Sequence, residues 1–184
     1  MKISNKIESY NEIVERGLNR FPEKIFKVTE INEIKAFINQ FPAEYYAVRD
    51  KSKAGGVFKL KVQPENIINE VEGYDLFSIN VSSFNYIDNQ VLVGEICISN
   101  TQVNAILSTN PSYSVRDAIK DPDFNFTTNI FDDEILDQIP YFDEVYKYIV
   151  ENKLQDIIVE FAYFNKPVGI KNEQIIIYEL RTHY

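Results

Sequence analysis

Apolar residues recur along this chain with two periods, and each period predicts an element type. Over residues 5–21, Ile7, Tyr10, Ile13, Val14, Leu18 and Phe21 share one side of a helix, opposite Glu8, Glu12, Glu15 and Arg16. Gly17 weakens its end and Pro22 closes it. A second helix is predicted over 29–40, with Thr29 as N-cap and Ile31, Ile34, Phe37 and Ile38 inward. A third is predicted over 142–152, burying Val145, Tyr146 and Ile149. A short helix or turn is read at 64–71 and a short helix at 114–120, the latter capped by Ser114 with Asp117 at the box position.

Strand-like runs fill most of the remainder. Residues 25–28 and 45–49 are short strands, and 57–62 alternates, with Phe58, Leu60 and Val62 on one face and Lys59 and Lys61 on the other. Strands are predicted at 75–84 and 90–99, joined by a hairpin turn at Asp88-Asn89. Gly94 marks a bulge or a close backbone approach, and Glu95 beside it is read as solvent-facing, with a third inward carboxylate as the alternative. Residues 102–113 read as irregular around a short strand at 105–107, and 121–129 as a loop. The acidic run Asp132, Asp133, Glu134, Asp137 lacks the glycine and spacing of a calcium loop and fits a helix start favoured by the dipole.

The chain closes on two oily runs, 156–164 and 174–181, around a turn carrying Pro167, Gly169 and Asn172. Their apolar character predicts positions in the middle of a sheet. Each nevertheless holds one carboxylate. A symmetric hairpin centred between Gly169 and Ile170 sets Glu160 opposite Glu179, and Arg181 shares that face. Facing carboxylates on oily strands are costly unless a cation or a phosphorylated ligand completes them, or a buried Glu-Arg pair forms. Together the runs predict an α+β fold, a mostly antiparallel sheet with helices packed on one face. Residues 1–184 form one compact unit, with two lobes at about 1–72 and 73–184 as a finer division.

Composition narrows the function. With 184 residues and 45% hydrophobic side chains, the chain builds a sizeable core. No apolar run approaches a membrane span, and the first residues carry no signal-peptide core. Cys97, the one cysteine, lies inside an apolar run, which predicts a buried inert thiol and fits a reducing cytoplasm. The formal charge of −9 argues against a nucleic-acid footprint but leaves room for a local phosphate site. Such a site has a candidate in Arg49, Lys51, Lys53, Lys59 and Lys61, gathered around a loop with Ser52, Ala54, Gly55 and Gly56. A solvated, lysine-decorated hairpin is the plainer reading. His183 is the single histidine, which argues against histidine-rich metal sites and a Ser-His-Asp triad in the body of the fold.

The terminal segment resembles the end of the ATP-grasp nucleotide-binding domain of phosphoenolpyruvate synthase and pyruvate phosphate dikinase. That family closes with D-I-E-W-A, a turn, and L-Q-x-R-P. Here the chain reads Asp156, Ile157, Ile158, Val159, Glu160, Phe161, Ala162 and later Tyr178, Glu179, Leu180, Arg181. The family's V-R-S-S is similar to Val48, Arg49, Asp50, Lys51, and its S-G-V-hydrophobic-F-T strand to Gly94, Glu95, Ile96, Cys97, Ile98, Ser99. The pattern that precedes them there is similar to Gly17, Leu18, Phe21, Pro22 and the helix from Thr29. The chain departs from the family in Asp50-Lys51 for two serines, in Thr182 for the final proline, and in lacking the lysine and glycine motif near the start.

The resemblance implies ATP and magnesium as ligands. It implies that Arg49 and Arg181 stand near phosphates, that Glu160 ligates the metal, and that Glu179 takes the place of a glutamine ligand. A carboxylate in place of an amide keeps an oxygen donor for a hard cation. Lys51 and Lys53 join Arg49 as phosphate-holding candidates. The expected function is a small cytoplasmic protein that binds a magnesium nucleotide or another phosphorylated small molecule; if it is catalytic, the class is phosphoryl transfer or ATP-dependent ligation. The rival reading is a non-catalytic interaction module with a degenerate site, suited to a homo-oligomer or a protein partner by its 12 Tyr and 13 Phe. A weaker rival has the cationic hairpin bind RNA.

Overall fold

The computed structural model describes residues 2–52, 57–111 and 121–182. In chain order its elements are α1 (Lys6–Glu15), β1 (Glu23–Lys27), α2 (Ile31–Gln40), β2 (Tyr46–Asp50), β3 (Phe58–Val62), α3 (Ile67–Glu70), β4 (Leu76–Val81), β5 (Gln90–Ile98), β6 (Gln102–Ser108), β7 (Phe124–Asn129), α4 (Asp133–Leu136), α5 (Phe142–Glu151), β8 (Ile157–Val168) and β9 (Glu173–Thr182). The fold is α+β, with two antiparallel sheets rather than one. The chain falls into two compact units, Met1–Arg20 with Asp88–Tyr184, and Phe21–Ile87. The predicted helix at 114–120 lies outside the described residues.

The Phe21–Ile87 unit carries a four-stranded sheet in the order β1-β4-β2-β3. The two inner strands bury Tyr46, Ala47, Val48, Phe77 and Ile79. Helix α2 contributes Ile34 and Phe37, and the Phe37 ring meets Phe26 edge-on at 5.8 Å. Thr29 is not the cap of α2; Glu30 holds that position without a side-chain bond, and Ile31, the first helical residue, is 42% exposed. Strand β3 departs from its predicted burial. Phe58 and Leu60 are about half exposed and only Val62 is buried, because β3 pairs with β2 alone and stands at the sheet edge.

The other unit carries a five-stranded sheet in the order β7-β6-β5-β8-β9. One face builds the core. Leu92, Ile96 and Ile98 of β5, Val103, Ala105 and Leu107 of β6, and Val159, Phe161 and Tyr163 of β8 pack there with Ile13, Val145 and Ile149 of the helices. In α1 and α5 the inward stripe is narrower than predicted: Val14, Ile7 and Tyr146 are exposed. Asn5 caps α1 by accepting from the backbone N–H groups of Ile7 and Glu8, and the helix stops before Gly17, which takes a left-handed φ of 61°.

Four predictions change here. Strand β6 runs regularly over seven residues, and β7 replaces the predicted loop. The segment FNFTTN alternates, and its Phe124 and Phe126 pack against the core. Asp88-Asn89 makes no hairpin, since β4 and β5 belong to different sheets and a 3-10 segment, Ser83–Asn89, separates them. Strand β9 is outermost rather than central. It can be so apolar because the start of the chain covers its open edge: Ile177 N donates to Asn19 O at 2.9 Å, Leu180 N to Ser9 Oγ at 2.8 Å, and Thr182 N to Ile3 O at 3.4 Å.

Candidate functional site

Directly opposed residues of a sheet share a face, so the pairing register places side chains without ambiguity. Glu95 on β5 faces Glu160 on β8, and Glu160 faces Glu179 on β9. Three glutamates therefore form one transverse row on the face away from the core. Arg181 stands two residues beyond Glu179. Its Nη2 donates to Glu95 Oε1, and its Nε lies 3.9 Å from Glu179 Oε1. The guanidinium thus reaches from β9 past β8 to β5. Glu179 is buried, and the Glu95 side chain is 16% exposed.

Glu95 is accordingly not solvent-facing. Strand β5 has no bulge at Gly94, for the ladder to β6 runs unbroken from Val93 to Ile98. Regular alternation then turns Glu95 to the same side as Val93 and Cys97. Gly94 instead answers a close backbone approach: a Cβ there would sit 2.1 Å from Ile106 O, and its φ is 151°. The signal that finds Glu95 is plain alternation along 90–98 with the glycine read as a contact point.

The cationic candidates occupy the Phe21–Ile87 unit, on β2 and β3 and the segment between them. Arg49 faces Phe58 and Ser78 across the sheet, and its guanidinium lies over the Phe58 ring, 4.3 Å from the centroid. Lys51 follows β2; its side chain is 5% exposed and its Nζ lies 3.5 Å from Glu23 Oε1. Lys59 is ion-paired with Glu70, whose hydrogen bond lifts the ammonium above its ordinary range. Lys61 sits over the Phe84 ring at 3.6 Å. The loop begins with the Asp50 carboxylate accepting from Ser52 N at 2.8 Å. Lys53, Ala54, Gly55 and Gly56 lie outside the described residues, as does His183. Among the described residues, Arg49, Lys51, Lys59 and Lys61 are thus less a bare positive patch than a set of cations each engaged by a carboxylate or an aromatic ring.

Among the described residues, no three His, Cys, Asp or Glu side chains come together as a metal cage. The acidic run at 132–137 opens α4, with Asp133 and Glu134 in its first turn. Cys97 is buried, and burial followed by the nearby Asp156 charge pushes its thiol pKa up, as an inert thiol requires. No helix of the described residues is long and apolar enough to cross a membrane.

No family model matches the chain, and no curated protein matches it. Solved structures do match in fold. N5-carboxyaminoimidazole synthetase from Staphylococcus aureus aligns at 13% identity with a TM-score of 0.50, over 98% of this chain and 44% of that one. N5-carboxyaminoimidazole synthase from Aspergillus clavatus, in complex with ADP and 5-aminoimidazole ribonucleotide, aligns at 12% identity and 0.49, over 98% and 44%. D-alanyl-alanine synthetase A from Vibrio cholerae aligns at 13% and 0.48, over 97% and 54%. The chain spans about half or less of the length of these proteins. At such identity the likeness is one of fold, and the fold of this chain is ATP-grasp-like.

Proposed function

We propose that this protein is a small cytoplasmic ATP-grasp-like protein that binds a magnesium nucleotide or another phosphorylated small molecule. The facing pair Glu160 and Glu179, with Arg181 beside it, carries the reading. Magnesium takes hard oxygen donors and is held by one or two carboxylates together with the phosphates of its nucleotide. Two opposed glutamates are that kind of donor set. Glu160 and Glu179 would hold the ion, which when bound neutralises charge on the phosphates. Arg181 from the same face would contact phosphate oxygens. Arg49, Lys51 and Lys53 are the phosphate-holding candidates of the Phe21–Ile87 unit taken by itself. Lys51 is the weakest of these, because Glu23 already engages it. Should the protein be catalytic, phosphoryl transfer or ATP-dependent ligation is the reaction class, and the phosphoenolpyruvate synthase type is the family we favour.

Calorimetric titration with magnesium ATP tests this, run on the parent, Glu160→Gln and Arg49→Ala. Binding by the parent and its loss in both variants supports the site. A folded parent with no affinity at millimolar magnesium ATP would refute it.

A second reading has one observation of its own. Phe131 is 81% exposed, and Val57, Phe58 and Leu60 are about half exposed along an edge strand. A protein that keeps the fold as an interaction module would use such surfaces. A defined oligomer or co-purifying protein, without nucleotide affinity, distinguishes it.

A further inference from the structure

Three like charges in adjacent cross-strand positions repel one another, and facing like charges destabilise a sheet. Glu95, Glu160 and Glu179 nevertheless occupy such positions. The arrangement is balanced in part by Arg181, whose contacts are not with its nearest strand neighbour. It crosses β8 and bonds the far glutamate, Glu95, while its Nε stays 3.9 Å from Glu179. The reach spans two strand spacings, about 9–10 Å, so the side chain must be extended to make it. An extended arginine tied at its tip has lost most of its rotamer freedom before any ligand arrives.

We infer that Glu95 is a positioning residue, which fixes the Arg181 guanidinium over the Glu160–Glu179 pair so that its other N–H donors are presented to phosphate oxygens. This rests on the magnesium-nucleotide reading above and adds to it a residue that touches neither metal nor nucleotide. A guanidinium has five N–H donors in a rigid fork, and one bond to Glu95 leaves the fork oriented rather than exhausted. The bond from Arg181 Nη2 is the side-chain contact the structure records for Glu95.

The experiment compares magnesium ATP with adenosine, which lacks the phosphates, as calorimetric ligands. The proteins are the parent, Glu95→Gln, Glu95→Asp, Arg181→Ala and the double variant Glu95→Gln/Arg181→Ala, each checked for folding by thermal melting. Glu95→Gln should weaken magnesium ATP by about tenfold or more, leave adenosine unchanged, and add nothing in the Arg181→Ala background. Glu95→Asp, which keeps the charge, should recover part of the loss. Should Glu95→Gln fail to fold, Arg181→Ala and Glu95→Asp carry the same comparison between the two ligands. Equal magnesium ATP affinity in the parent and Glu95→Gln, an equal loss for adenosine, or an undiminished effect of Glu95→Gln without Arg181 would each overturn the positioning role while leaving the nucleotide site standing. A parent that binds no magnesium ATP overturns both.

Discussion

Glu160 faces Glu179 across β8 and β9 because Tyr178 is inserted as one extra residue between two successive cross-strand pairs. The next pair toward the turn is Phe161 with Ile177. Ile175 and Ile177 both point into the core. In an unbroken strand Glu179 would follow them there, since side chains alternate. The one-residue bulge reverses the alternation, sends Leu180 inward, and turns Glu179 and Arg181 to the opposite face. The carboxylate row therefore depends on a local irregularity and not on sequence parity alone.

Deleting Tyr178 should consequently leave the protein folded. The ladder becomes regular, with Ile177 and Leu180 still inward and Glu179 still opposite Glu160. The loss is that of one half-buried tyrosine, about 1–3 kcal/mol. Deleting Leu180 instead brings Arg181 to a core position, where a charge without a partner is too costly to bury. Urea unfolding of the two deletions gives a cooperative transition for the first and none for the second. The reverse order, or equal damage, would mean that the bulge does not set the faces.

Asn19 fastens the turn between β8 and β9. It is fully buried, its Nδ2 reaches Val168 O at 3.0 Å and Ile175 O at 2.8 Å, and its Oδ1 accepts from Lys171 N at 2.9 Å. Its backbone N donates to Tyr148 Oη at 3.2 Å, and burial pushes the Tyr148 hydroxyl pKa up to about 12, so the phenol stays protonated. Asn19→Ala strips partners from several buried backbone groups and should cost about 3 kcal/mol. The urea midpoint should fall with an unchanged slope. A shift below about 1 kcal/mol would show that the turn holds itself.

Much of this fold is legible in the sequence, and the failures share a cause. Periodicity finds α1, α2 and α5 because each has an apolar stripe long enough to read. The Glu160–Glu179 pairing also emerges from a symmetric hairpin, although the real ladder reaches it through two register shifts, one near the turn and one at Tyr178. What sequence cannot show is what lies across the sheet. Strand β9 reads as central because its neighbours include the start of the chain, far away in sequence. Phe58 and Leu60 read as buried because alternation does not reveal whether anything packs on the apolar face. Glu95 reads as exposed because its partner, Arg181, comes from β9, one strand beyond its neighbour β8 and far away in sequence.

Asp123 closes the base of the connection between β6 and β7, and its charge makes that closure depend on pH. Its Oδ2 accepts from Thr109 N at 2.5 Å, Thr109 Oγ1 at 2.8 Å and Ser108 Oγ at 3.0 Å. The Thr109 backbone bond first, then the two hydroxyls, hold the carboxyl below its ordinary value. A folded-state pKa below the unfolded one means that the bonds stabilise the protein above the unfolded value, about 3.9, and that this is lost as pH falls through the folded value. Asp123→Asn removes the charge and with it the dependence. The parent should therefore be more stable than Asp123→Asn at about pH 6, and the gap should narrow as pH falls to about 2.5. Because Asp123 is largely open to solvent, added salt should narrow it too. Unfolding midpoints for both proteins across that range measure the gap directly. A gap that stays constant with pH would show that the carboxylate gains nothing from its charge at this position.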